Sequence, residues 1–342
     1  MSICPPNTHA LDEIISRPCE EVVNTVQAVQ GDVAVLGAGG KMGFHLCLTL
    51  QRAMEQATTR GKVIAVSRFG NSQVRQRFVD AGIKTICADL SNADAVSGLP
   101  DFENVFFLAG VKFGTDSNAD LLDRMNVSMP RLIANRFRRA AIVALSSGCV
   151  YSFTTPESGG SDEKSETAPP GEYAQSCLGR ESAFSDASDA FGLHSCLIRL
   201  NYSIDLRYGV LLDIAQKVRD RQPLDLTTGY VNIIWQGDAI SHIIQALAHC
   251  TSPPAVFNIT GPATLRVRDL AQMFASHWGL EPVFESTESE TAWLSNAARS
   301  HQLFGAPKIS VNQMIQWTAE WLDAGGEVLN RPTKFQVRDG RY

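Results

Sequence analysis

GDVAVLGAGGKMG, residues Gly31 to Gly43, decides how the chain is read. Asp32 to Leu36 is a short apolar run rich in valine, as expected of a buried strand. Gly37, Gly40 and Gly43 follow at intervals of three, with Gly39 beside them, and an amphipathic helix opens at Phe44. A strand that turns tightly into a helix needs glycine where the backbone takes positive φ or passes close to a ligand. The N-terminus of that helix then presents unpaired N–H groups and the positive end of its dipole to a pyrophosphate. A glycine-rich turn can be only a turn. The strand before this one and the helix after it favour a dinucleotide loop.

Working outward, further strands are expected at Lys62 to Val66, Ile83 to Ala88, Asn104 to Ala109, Ala140 to Leu145, His194 to Leu200 and Ala255 to Ile259. Helical stretches lie between them, including a long one from Ala119 to Phe137 and another from Tyr173 to Phe191. This alternation predicts an α/β fold, a Rossmann-type doubly wound parallel sheet with a smaller, mainly C-terminal substrate lobe. Residues 1–30 read as a helical extension and 31–200 as the dinucleotide-binding domain. Residues 201–325 read mainly as the lobe, with about 231–260 returning to the first domain, and 326–342 as a tail that wraps the lobe or a neighbour or stays disordered. Ser152 to Gly171, rich in Ser, Pro, Gly, Glu and Thr, reads as a mobile loop.

The bulk properties restrict the partners. A net charge of −6 over 342 residues argues against nucleic acid and anionic membranes. No apolar run approaches the ~18 residues that span a bilayer, and Met1 to Ile15 has neither the basic start nor the apolar core of a secretory signal. Eight cysteines without CxxC spacing read as reduced thiols of a cytoplasmic protein. Seven histidines without an HxxxH or HExxH pair give no metal site.

The second strand ends at Ser67-Arg68. An acidic residue there would bond the ribose hydroxyls of NAD, whereas a basic one accommodates a 2′-phosphate, so Arg68 favours NADP with NAD as the alternative. Asp89-Leu90 is placed to meet the adenine edge, and Gly110 lets the chain pass close to the cofactor.

Two later stretches carry the chemistry. SSGCVY (Ser146 to Tyr151) follows the fifth strand, whose carboxyl end faces the ligand crevice, and Tyr173 opens a helix in EYAQSCLGRE (Glu172 to Glu181). With these the chain resembles the extended short-chain dehydrogenase/reductase family, which holds the nucleotide-sugar epimerases and dehydratases. The resemblance rests on GAGGKMG, Asp89-Leu90, Leu108-Ala109-Gly110, Asn126, SSGCVY, Arg199-Leu200-Asn201 and Trp235-Gln236-Gly237-Asp238, in order across most of residues 31–323. It implies a homodimer acting on a small carbohydrate-type substrate. Implied cofactor contacts are Gly37, Gly39, Gly40, Lys41, Met42, Gly43, Ser67, Arg68, Asp89, Leu90, Leu108, Ala109, Gly110, Asn126 and Tyr173. Tyr173 corresponds to the tyrosine that shuttles the proton, and Ser147 to the hydroxyl that bonds the same substrate oxygen.

The lysine that the family carries four residues after its tyrosine is Cys177 here. A free tyrosine ionises near ~10 and without a nearby cation is a poor base at neutral pH. Three readings follow. Lys112, just past the fourth strand, or Arg180, two helical turns from Tyr173, supplies the charge; the protein works without a strongly activated tyrosine; or it is an inactive, dinucleotide-binding sensor or interaction protein. Asn201 and Arg207, in the polar-aromatic run NYSIDLRYG, are candidates to hold a hydroxylated or carboxylated substrate, or equally to stitch a loop. Arg266 and Arg268 correspond to arginines that reach the phosphates of a nucleotide-sugar in the family, though arginines at a helix start are as often solvated.

Overall fold

In a computed structural model, residues 3–113, 118–331 and 333–339 are described. Seven parallel strands form the central sheet: β1 (Val33–Leu36), β2 (Val63–Ser67), β3 (Lys84–Cys87), β4 (Asn104–Phe107), β5 (Ala141–Ser147), β6 (Ser195–Leu200) and β7 (Ala255–Ile259). Their spatial order is β7-β6-β5-β4-β1-β2-β3. The order reverses between β1 and β4, and ligands of such sheets bind in the crevice at that switch point.

Alternation along each strand feeds two apolar layers. Val33, Val35 and Phe106 point to one layer, and Ala34, Leu36, Val105 and Phe107 to the other. The first layer is covered by α3 (Gly43–Gln56) and by the N-terminal helices α1 (Thr8–Ile15) and α2 (Glu20–Ala28), which bury Leu11, Ile15, Val22 and Val26. The second is covered by the helix ending at Arg136 and by Glu172–Phe191, through Ile133 and Phe184.

The long helix expected from Ala119 to Phe137 is present but not regular: its middle turn, Arg124–Ser128, is a π-helix. Such single turns insert one extra residue and frequently mark functional sites. Here the turn carries Asn126, which is fully buried.

After β6 the chain builds a lobe from short paired strands and three helices, Val210–Arg219, Val267–Trp278 and Val311–Asp323, that pack on one another. The segment from Ser152 to Gly171, expected as a mobile loop, is instead laid against this lobe. Thr154 pairs with Ala292 and Ser161 with Ser295, which satisfies backbone groups that a solvated loop would leave to water. The tail folds back onto the lobe as well. Thr333 donates through both its N–H and its hydroxyl to the Asp213 carboxylate, at 2.8 and 2.6 Å, and Arg338 donates to the Thr291 hydroxyl at 2.9 Å. Among the described residues no helix is long and apolar enough to cross a membrane.

Candidate active site at the carboxyl edge of the sheet

The glycine loop leaves β1 through Gly37, whose φ of +87° a side chain rarely adopts. A Cβ there would also sit 2.6 Å from the backbone nitrogen of Ala109, so the turn after β1 and the turn after β4 touch backbone to backbone. A Cβ on Gly43 would stand 2.2 Å from the Ala38 carbonyl, which is why α3 can begin directly under the loop. The result is a cradle that any larger residue would fill, opening on a helix N-terminus, and this fits a dinucleotide pyrophosphate.

Two cavities flank the cradle and share Gly37, Gly40 and Leu108. The first, on the β2–β3 side, is lined by Ser67, Arg68, Asp89, Leu90 and Gly110, the residues expected around an adenosine. Arg68 is exposed, while the Asp89 carboxyl is held below its usual range by hydrogen bonds from Ser91.

The second cavity has a volume of about 330 Å³ and lies between the loop, the end of β5 and the lobe. Ser147, Tyr173, Lys112 and Asn201 all line it. Ser147 ends β5, and its hydroxyl donates to the Cys149 thiol at 3.1 Å while accepting from the Cys149 backbone N–H at 3.3 Å. The Lys112 ammonium stands 5.8 Å from the centre of the Tyr173 ring. Burial is the main cause that holds the Tyr173 phenol well above its ordinary value, and the thiols of Cys177 and Cys149 push it the same way. Burial also pulls Lys112 down, against the same two thiols. Cys177 is fully buried in an apolar cluster with Val150 and Tyr151, its thiol pushed up to about 11, chiefly by burial.

Neither Asn126 nor Arg180 lines either cavity. Asn126 bonds both backbone groups of Val111 at 2.9 Å and the Ser176 hydroxyl at 2.8 Å, and accepts from Arg180 at 2.7 Å. Arg180 spends its other Nη on the Leu145 carbonyl, at 2.8 Å. It therefore ties the helix of Tyr173 to β5 and to the π-turn while its charge pulls the Tyr173 phenol down against burial, and Lys112 lines the cavity beside Tyr173. Arg207 also lies outside the cavity. Its guanidinium is held by Asp12 at 3.0 Å and Asp205 at 3.2 Å, in a buried cluster with His45. Of the two roles open to Arg207, these contacts are those of the stitch, a strut joining α1, α3 and the lobe.

A second polar cluster escapes the sequence pattern. Glu181, two turns along the helix from Tyr173, forms a two-pronged pair with Arg199 at 2.7 and 3.0 Å and accepts from the Ser146 hydroxyl at 2.5 Å. Arg199 also donates to the Tyr151 hydroxyl at 2.8 Å, and Tyr151 to Asn258 on β7 at 2.8 Å. These bonds fix the end of β5, and so Ser147, against the helix that carries Tyr173. The available signal is the adjacent Arg180-Glu181 set mid-helix, two charged residues where the helix packs on the sheet.

Residues 33–259, about two thirds of the chain, match the model of the NAD dependent epimerase/dehydratase family. The chain belongs to that family. No curated protein matches it in sequence. This family member has the fold of several solved structures. UDP-glucuronic acid 4-epimerase from Bacillus cereus, in complex with NAD, is 16% identical with a TM-score of 0.71, over 85% of this chain and 98% of that one. A UDP-galactose 4-epimerase is 20% identical with a TM-score of 0.67, over 86% and 99%. UDP-glucose 4-epimerase from Thermus thermophilus, also in complex with NAD, is 16% identical with a TM-score of 0.65, over 84% and 98%.

Proposed function

We propose that this family member is an NAD(P)-dependent enzyme that oxidises, reduces or epimerises a carbon of a sugar, sugar acid or nucleotide-sugar. The carrying observation is that Ser147, Tyr173 and Lys112 line one cavity directly beside the glycine cradle. The sugar class is supported by the UDP-sugar epimerases among the structures that share the fold.

A nicotinamide coenzyme, held by Gly37, Gly40, Gly43 and the N-terminus of α3, would supply hydride transfer. Ser147 donates to the reacting substrate oxygen and fixes its position. Tyr173 carries that oxygen's proton. Because burial keeps the phenol protonated, Tyr173 is ready as a proton donor to an oxygen gaining charge. The opposite direction needs the phenolate, and Lys112 is the cation that stabilises it, in the role a lysine at position 177 would otherwise fill. Arg68, exposed at the rim of the first cavity, supports a 2′-phosphate and therefore NADP over NAD.

A second reading, a coenzyme-responsive binding protein without turnover, draws on the two thiols that press the Tyr173 phenol up. Purified protein mixed with NADP(H) or NAD(H) and a panel of sugars, sugar acids and nucleotide-sugars separates the two. Turnover that disappears in Tyr173→Phe while coenzyme binding persists supports the enzyme. Coenzyme binding with no turnover on any panel member supports the sensor.

A further inference from the structure

The charge of the second cavity is one-sided. In a chain of net charge −6, no Asp or Glu among the described residues lines it, whereas the basic side chains Lys41 and Lys112 do. Lys112 is placed at Tyr173. Lys41, expected among the coenzyme contacts, is placed differently. It sits inside the glycine loop, yet its side chain turns toward the lobe, donating to the Ser203 carbonyl at 3.0 Å and resting 4.3 Å from the centre of the Tyr208 ring. An ammonium has three donors, and these contacts use one along a hydrogen bond and present another to an aromatic face. Among the described residues Lys41 has no carboxylate partner. The acid that acts on it, Asp205, is committed to the Arg207 guanidinium and, at 2.7 Å, to the Arg207 backbone N–H. Burial therefore pulls Lys41 down to about 8, a cost that a ligand anion would remove.

The far end of the cavity limits what that anion can be. Arg266 and Arg268, the arginines that would meet a nucleotide's phosphates, lie outside it and are both paired to Glu288, at 3.0 and 2.8 Å. Thr333 of the folded-back tail, fastened to Asp213, forms part of the cavity wall. Among the described residues no arginine lines the cavity, so an anion there meets lysine point charges and not the bidentate fork that favours a phosphate.

We propose that the substrate is a compact carboxylate, a sugar acid without an attached nucleotide, and that Lys41 holds its carboxylate in the cavity of Ser147 and Tyr173. The proposal rests on the reading of that cavity as the substrate site and narrows it.

Calorimetric titration of the NADPH-loaded protein with D-glucuronate, D-galacturonate, D-glucose, D-glucose 6-phosphate and UDP-glucuronate tests it. The free hexuronates are expected to bind tightest. Lys41→Met is expected to weaken them roughly 10- to 100-fold, the worth of one charge-assisted hydrogen bond, with Lys41→Arg recovering part of the loss. The urea midpoint of each variant reports that it is folded. Tighter binding of the phosphate, the nucleotide-sugar or the neutral sugar overturns the proposal. So does hexuronate affinity unchanged in Lys41→Met, or a loss confined to NADPH affinity. Hexuronate binding that depends on Lys41 without any turnover leaves this inference standing and removes the enzyme reading. Tyr173-dependent turnover of a neutral sugar does the reverse.

Discussion

Replacing Lys112 by Met removes the positive charge that stands 5.8 Å from the centre of the Tyr173 ring. At an effective dielectric of about 20, a unit charge about 6 Å from the phenolate oxygen, the scale that ring distance sets, is worth about 3 kcal/mol. That corresponds to about two pKa units, or roughly a hundredfold in the phenolate population at fixed pH below the pKa. The direction follows from the chemistry. Loss of a cation raises the phenol further, so substrate oxidation, which needs the phenolate, slows by up to about a hundredfold, and its pH–rate profile moves upward by about two units. Carbonyl reduction uses the phenol and falls much less. Lys112→Arg keeps the charge and retains most of the activity. The assay is the absorbance of the reduced nicotinamide, followed in both directions across pH, with the best substrate of the panel. An oxidation profile that stays in place in Lys112→Met, while Tyr173→Phe abolishes turnover, would refute the assignment of Lys112.

Other consequences concern the scaffold. Gly37→Ala forces a Cβ onto the Ala109 backbone at a φ of +87°, so coenzyme binding is expected to vanish and the urea midpoint to fall; near wild-type NADPH affinity would show that the cradle is not what the coenzyme meets. Asp12 accepts from His45 at 2.7 Å and Arg207 at 3.0 Å and pairs with Arg77. Asp12→Asn leaves the buried Arg207 with Asp205 alone and is expected to cost roughly 3 kcal/mol in urea unfolding, whereas a change under about 0.5 would demote α1 from strut to ornament. Buried His242 is pulled from 6.5 down to about 4, mainly by burial. The unfolded chain takes up this proton first, so stability falls as pH drops from about 6.5 to about 4, by about 3 kcal/mol in all. His242→Gln flattens that slope; an unchanged slope in urea unfolding at several pH values would place the acid sensitivity elsewhere.

The dinucleotide half was legible because its signals are local. A valine-rich strand, glycines at fixed intervals and a helix start all lie within 31–48, and the alternation of strands and helices then orders the sheet. The turns that failed depend on partners far along the chain. Arg207 in NYSIDLRYG reads equally as a fork or a stitch, and the choice is hidden because one of its carboxylates is Asp12, 195 residues earlier. Ser152 to Gly171 has the composition of a solvated loop, and its order comes from backbone pairing with 292 and 295. The π-turn around Asn126 is invisible because one inserted residue scarcely alters helical periodicity. Glu181 and Arg199 lie 18 residues apart on a helix and a strand, and only the packing of the helix on the sheet makes them a pair.

The enzyme reading requires that the cradle after β1 hold the coenzyme and deliver its nicotinamide ring to Ser147 and Tyr173. A crystal structure with NADPH bound tests this most directly. The expected result is the pyrophosphate on the N-terminus of α3, the 2′-phosphate at Arg68, and the nicotinamide in the cavity lined by Ser147, Tyr173 and Lys112. Coenzyme bound elsewhere, or a ring turned away from those three side chains, would contradict it.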